Sequence, residues 1–294
     1  TWGGAYVSFD IANDVFYLPI KTDQYFTSGM SLEIGRRALA RSPFRVTSRA
    51  QSARYWRLTQ DIFTPQEIEA SQLLVDDRPF ASYLTATRGK LYADQMLGLS
   101  LTSECTFGVL GKYSGGGRMQ NALHQIVNFA EPIPGWVNEV KSDVILNYRL
   151  LLQQQIGQER FGAITSIDLR LGTLFTDAAP ELKVYCQPIG EGQFRNVRFI
   201  LSGSARLVAH NATLTGGLFN RDMRFRGVII PRGLVGQAGF DGVINFDAWQ
   251  LRGGIRHLSS EFKGGWAHAW AWFGVRVQPG WQTLIAASRP NNRP

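Results

Sequence analysis

The chain has 294 residues with 31 Lys and Arg against 23 Asp and Glu, a formal charge of +8, yet only 18% of it is charged while 12% is aromatic and 31 residues are glycine. That mixture suits many strands and turns and argues against a helical bundle. The arginines are dispersed, with no basic stripe carrying stacking aromatics, which excludes nucleic acid as partner; no run of 18 apolar residues offers a transmembrane helix.

In chain order, twelve segments carry strand character: about 4–12, 26–36, 53–63, 78–90, 96–109, 142–155, 161–175, 181–188, 197–211, 232–245, 248–260 and 266–277. The first clear dyad is FTSGMSLEIG, where Phe26, Met30, Leu32 and Ile34 share a face and Thr27, Gly29, Ser31, Glu33 and Gly35 share the other. LGLSLTSECTFG and SDVILNYRLLLQ repeat the pattern. AHAWAWFGVRV sets Ala267, Ala269, Ala271, Phe273, Val275 and Val277 against His268, Trp270, Trp272, Gly274 and Arg276. These runs reach about ten residues where sandwich strands stop at about five or six, so they predict a barrel.

The polar faces carry Glu33, Glu104, Arg149, Asp168, Arg170, Arg252 and Arg256, charges of both signs expected to neutralise each other in a narrow lumen while the apolar faces meet lipid. The fold class predicted is all-β: a 12-stranded antiparallel transmembrane β-barrel with a short helix in an extracellular loop. Residues 1–278 form its single domain and 279–294 a C-terminal tail. An even strand number puts both termini on the periplasmic side. The exterior connections are then 13–25, 64–77, 110–141, 176–180, 212–231 and 261–265, and the arginine-rich stretch 36–54 is periplasmic. Thr1 follows no charged, apolar leader, as in the mature form of an exported protein. Cys105 and Cys186 lack metal-type spacing, and their pairing is left open.

The third exterior connection contains QNALHQIVNFAE, residues 120–131. At helical spacing Gln120, His124, Asn128 and Glu131 fall within an arc of about 80°, with Leu123, Ile126, Val127 and Phe129 opposite. The bland reading is a surface helix facing water. Against it, strand parity brings Asn13, Asp14, Thr27, His124 and Glu131 to one rim. Asn-Asp at a strand end is ordinarily a turn former, and a strand Thr ordinarily packs. His210, His257 and His268 read as lumen, interface or girdle residues.

These stretches also carry a resemblance. AND (12–14), TDQYFTSG (22–29), QDIFTP (60–65), DDRPFASYL (76–84), GVLGKYSGGGRMQNALHQI (108–126) with PGW (134–136), LVAHNATLTGG (207–217) and SSEFKG (259–264) together resemble the outer-membrane lipid A deacylase family, LpxR type. The resemblance covers about 260 residues in order. It implies hydrolysis of the 3′-linked acyloxyacyl group of lipid A, dependence on Ca²⁺, lipopolysaccharide and outer-membrane lipids as partners, and the outer membrane of a Gram-negative bacterium as location, with the active site at the extracellular leaflet. The expected state is a monomer. Carried over residue by residue, it makes His124 the catalytic histidine, Asn13 and Asp14 the Asn-Asp pair, and Thr27 the threonine of the family's YTxG motif. Glu131 maps less cleanly, because HQIVNFAE holds one extra residue.

Ester hydrolysis needs a base for water and a donor or positive site for the oxyanion. Imidazole titrates in the useful range, so His124 suits the base, with Gln120 or Glu131 fixing its tautomer. Hard oxygens from Asp14, Asn13 and Glu131 suit Ca²⁺. Arg78 is read either as a clasp to Asp76 or Asp77 or as a phosphate ligand. Arg221, Arg224 and Arg226 in FNRDMRFRG are expected to grip lipid A phosphates, with a solvated basic loop as the alternative.

Two features depart from the family's pattern. Residues 64–77 are acidic and apolar where family members offer basic ones, and a tail follows the last strand where barrels of this kind end on an aromatic. Two rivals stand beside this reading. A serine-type outer-membrane phospholipase would need a nucleophile, but Ser114 lacks a GxSxG elbow; a porin or adhesin barrel would make the rim cluster a coincidence.

Overall fold

Twelve antiparallel strands close into a barrel in the computed structural model, which describes residues 4–17, 25–44, 49–126, 132–158, 160–188, 197–246 and 248–278. They are β1 (Ala5–Asn13), β2 (Tyr25–Arg41), β3 (Arg49–Thr64), β4 (Ala81–Asp94), β5 (Leu99–Leu110), β6 (Asp143–Gly157), β7 (Phe161–Gly172), β8 (Phe175–Cys186), β9 (Val197–Asn211), β10 (Leu234–Asn245), β11 (Trp249–Leu258) and β12 (His268–Val277). Each pairs with its sequence neighbours, and β1 with β12 closes the ring. The four longest connections, 14–24, 65–80, 111–142 and 212–233, all follow odd strands, and they define a long-loop rim opposite a short-turn rim. No helix among the described residues is long and apolar enough to cross a membrane.

The alternation sorts the side chains. Val7, Phe9, Leu32, Ile34, Leu58, Leu146, Leu169, Leu201, Phe240, Phe273 and Val275 are exposed on the outer wall, while Tyr6, Glu33, Tyr55, Glu104 and Asp168 point inward. The lumen is filled by an unbroken chain of ion pairs: Glu33–Arg57–Glu104–Arg149–Asp168–Arg206–Asp177–Arg170. Arg252–Asp10, Arg256–Asp241 and Arg276–Glu33 continue it around the wall. Each carboxylate offers several lone pairs, so one acid satisfies two guanidiniums and the row runs across seven strands. The buried apolar cluster, including Tyr25, Phe63, Tyr83, Leu110, Ile145, Leu214 and Phe225, sits under the long loops.

Three expectations are corrected. The segment 36–54 is mostly strand, because the dyad pattern of β2 runs to Arg41 and β3 begins at Arg49. The exterior connection placed at 176–180 belongs to β8; the chain turns instead at Thr173 and Leu174. Pro180 is tolerated there because the β8–β9 ladder skips from Ala178↔Leu207 to Glu181↔Ser204, where no donor is required. Phe26 packs on Phe63 and Trp270 among inward rings instead of facing lipid with Met30 and Leu32. A one-residue bulge between Phe26 and Ser28 reverses parity there. Cys105 and Cys186 are free and exposed. The tail 279–294 lies outside the described residues.

Candidate active site on the outer wall

Four strand ends meet in a single cross-strand row at the long-loop rim: Asn13 opposite Ser28, Ser28 opposite Ile62, Ile62 opposite Ser82. By parity these positions belong to the outer wall, where lipid contact would be expected. Yet Ser28 is 9%, Ile62 1% and Ser82 0% exposed, because loop structure folds back over them.

On one side the roof is a 3-10 turn, Asp14–Phe16, whose Phe16 ring meets outward-facing Phe273 of β12 at 5.6 Å. Asn13 caps this turn, and its Oδ1 accepts the Val15 N–H at 2.8 Å; Asp14 Oδ1 accepts the same N–H at 2.8 Å. Two side-chain oxygens therefore converge on one point. Asp14 is only 4% exposed.

On the other side lies helix α1 (Gly116–Ile126), preceded by a 3-10 turn at Gly111–Ser114 and followed by another at Pro134–Asn138. The helix contacts β3 and β4. Glycines permit this approach: a Cβ on Gly116 would fall 2.3 Å from the Ser82 side chain, and one on Gly117 2.6 Å from the Trp136 ring. Gln120 is buried at 6% and does not face water. Its Oε1 accepts the Trp136 indole N–H at 3.0 Å, and Trp136 in turn packs on Phe80 at 5.0 Å. Indole only donates, so the bond identifies the Gln120 oxygen, which keeps a second lone pair. Asn121 Oδ1 accepts the Ile133 N–H at 3.0 Å and ties the far end of the loop to the helix. His124 continues the i, i+4 row Gly116–Gln120–His124 along the helix; Glu131, and Asn128 with it, lies outside the described residues.

Thr27 sits in the bulge beside Ser28, with Thr27 Oγ1 and Thr64 Oγ1 2.7 Å apart. Thr64, 0% exposed, was not singled out from sequence; QDIFTP flagged the stretch without marking its last hydroxyl. Also unforeseen is the group beneath the helix start. The Ser82 hydroxyl lies 2.6 Å from Ser114 Oγ and hydrogen bonds to Glu139. Burial pushes the Glu139 carboxyl up to about 7, against the hydrogen bonds from Ser82 and the charge of Lys112. Ser114 is thus engaged in docking the loop to the wall.

The arginines divide. Arg78 has no exposed surface. Its guanidinium pairs with Glu261, donates to Thr213 Oγ1 at 2.6 Å and lies 4.2 Å over Phe63, so its clasp reaches Glu261 and not the expected Asp76 or Asp77. Arg224 pairs with Asp222 at 2.7 Å and donates to the Glu139 carbonyl at 2.7 Å. Arg221 and Arg226 are exposed. Among the other histidines, His210 Nε2 meets the Thr173 carbonyl at 2.9 Å, and His268 is buried against Tyr25 and Trp270.

Asn13 and Asp14 supply converging hard oxygens of the kind Ca²⁺ prefers. No group of three His, Cys, Asp or Glu side chains converges among the described residues. A complete shell would therefore draw on main-chain carbonyls, water, substrate and the region of Glu131.

Comparison with known proteins adds the following. The family model described as outer membrane protein LpxR matches residues 3–278. Among solved structures, LpxR from Salmonella typhimurium superposes with a TM-score of 0.75 at 18% identity, covering 92% of this chain and 99% of that one. The beta domain of the Bordetella autotransporter BrkA gives 0.50 at 10% identity, covering 94% and 99%. No curated protein sequence matches.

Proposed function

Because this chain belongs to the LpxR family and is an outer-membrane lipid A 3′-O-deacylase, a carboxylic ester hydrolase, we propose that it releases the 3′-linked acyloxyacyl group by His124-activated attack of water, at the extracellular leaflet, with Ca²⁺ as cofactor. The observation that carries this reading is the outer-wall row Asn13–Ser28–Ile62–Ser82, roofed by the helix that bears His124. A site on the wall, with the lumen crossed by ion pairs, suits a substrate whose acyl chains remain in the bilayer.

His124 takes a proton from water as the water oxygen bonds to the ester carbonyl carbon. The tetrahedral intermediate then collapses, the sugar oxygen leaves, and the imidazolium returns the proton to it. Gln120 Oε1, already anchored by Trp136, has a lone pair for the other imidazole N–H and would hold the base in the right tautomer. If Thr64 donates to Thr27, the Thr27 hydroxyl is free to donate to the attacking water's oxygen or to the oxyanion. Asn13 and Asp14, with Glu131, would hold calcium, whose chemistry when bound is Lewis-acid stabilisation of charge on the ester carbonyl.

The test is mass spectrometry of lipid A from cells expressing the wild type and His124→Ala, with and without a calcium chelator. Loss of the acyloxyacyl mass only with His124 and calcium present supports the reading. Deacylation by His124→Ala would overturn it.

A further inference from the structure

The short-turn rim carries a feature that the deacylation chemistry does not use. Gly35 and Gly89 face the lumen, where an added Cβ would run into the Tyr6 and Tyr55 rings. Their neighbours Arg36, Arg88 and Lys90 therefore project from the outer wall. Arg36 stands directly opposite Arg54, and Arg54 directly opposite Lys90. Three cations thus share one row across β2, β3 and β4, with Cβ atoms about 4.5–5.5 Å apart, an arrangement that repels unless something neutralises it. In the lumen even the facing arginines Arg149 and Arg170 are each paired with a carboxylate; here, among the described residues, no ion pair includes Arg36, Arg54, Arg88 or Lys90.

The surroundings say what the missing anion is attached to. Lys90 Nζ lies 4.4 Å over the Tyr92 ring, Arg88 sits opposite Trp56 and 5.9 Å over it, and Trp56 and Ile34, which face each other across β2 and β3, are 55% and 56% exposed. Aromatic rings with cations beside exposed apolar side chains mark the depth of a lipid headgroup. Along β2, the outward residues between Ser28 and Arg36 are Met30, Leu32 and Ile34. Those eight residues span about 27 Å along the strand, or about 20 Å along the normal at the usual tilt, close to one apolar band. The cation row therefore lies on the membrane face opposite the proposed active site.

We propose that Arg36, Arg54 and Lys90, with Arg88, form a binding site for the phosphate of an anionic glycerophospholipid in the leaflet at the short-turn rim. Guanidinium groups donate paired hydrogen bonds to phosphate oxygens, the neighbouring rings and Ile34 receive the glycerol and upper acyl chain, and the bound charge relieves the repulsion along the row.

The experiment places the full chain in nanodiscs of phosphatidylethanolamine and phosphatidylglycerol and counts retained lipids by native mass spectrometry. The wild type should retain phosphatidylglycerol over phosphatidylethanolamine. R36Q/R54Q/K90Q should lose that preference by about a hundredfold, on the attraction typical of three basic residues at an anionic surface, and R36K/R54K/K90R should keep it. Unchanged deacylase turnover and heat-shifted mobility verify that the variants fold. Equal retention of both lipids by the wild type, or undiminished phosphatidylglycerol on the glutamine variant, would each overturn the proposal.

Discussion

The indole N–H of Trp136 is bonded to Gln120 Oε1 at 3.0 Å, so a residue sixteen positions further along the chain holds the helix row on which His124 lies. Replacing Trp136 by Phe keeps the packing on Phe80 but removes this donor. Turnover should fall about fivefold, the worth of one hydrogen bond, with the barrel's melting temperature unchanged. Initial rates of acyloxyacyl release from lipid A micelles measure it.

His124→Ala should lower turnover by about 10² to 10⁴-fold, the range for losing a general base. Its heat-modifiable electrophoretic mobility should match the wild type, since α1 lies outside the barrel wall. A variant that fails to fold would show instead that the helix row is needed for assembly.

Calcium removal should stop deacylation reversibly. Asp14→Asn should raise the calcium concentration needed for half-maximal rate, because affinity follows the charge of the ligand set. An unaltered calcium requirement in this variant would remove Asp14 from the metal shell.

The third exterior loop should dock in a pH-dependent way through Glu139. Its folded-state pKa, about 7, lies above the ordinary carboxyl range. The docked form therefore binds the extra proton, and docking is strongest at low pH and weakens as pH rises towards 7, beyond which it levels off. Protection factors for hydrogen exchange across 111–126, corrected for the intrinsic base-catalysed rate, should fall between pH 5.5 and about pH 7. Glu139→Gln should abolish the change.

Arg57 bridges Glu33 and Glu104. Arg57→Gln removes the cation shared by two inward carboxylates, which keep Arg276 and Arg149, and should cost about 2 kcal/mol, the worth of a hydrogen bond to a charged group. Thermal unfolding in detergent should show the loss, and the double change Arg57→Gln with Glu104→Gln should recover part of it.

Most of the barrel was legible because a wall between lipid and a charged lumen imposes a two-residue period that few alternative structures can satisfy. Glu33, Glu104, Arg149 and Asp168 stood in the inward phase and the structure pairs them there. What escaped were features that break the period. The bulge at Thr27 inverts Phe26, and Pro180 reads as a turn because its tolerance depends on a gap in the β9 ladder, a neighbour some twenty-five residues away. The placement of the candidate residues on one rim was legible, since Asn13, Asp14 and Thr27 follow from parity alone. Its location on the outer side of the wall was not, because the burial of Ser28 and Ser82 depends on loops folding back over them.

That location governs encounter. A molecule confined to the membrane plane meets the roofed row Asn13–Ser28–Ile62–Ser82 by lateral diffusion, edge-on, without passing through the interior or detaching from its neighbours. Collision is then a two-dimensional event, in which the mole fraction of substrate in the leaflet takes the place of bulk concentration. Diluting lipid A with inert lipid at constant total lipid should slow the enzyme, whereas adding more vesicles of the same composition should leave each bound enzyme's rate unchanged.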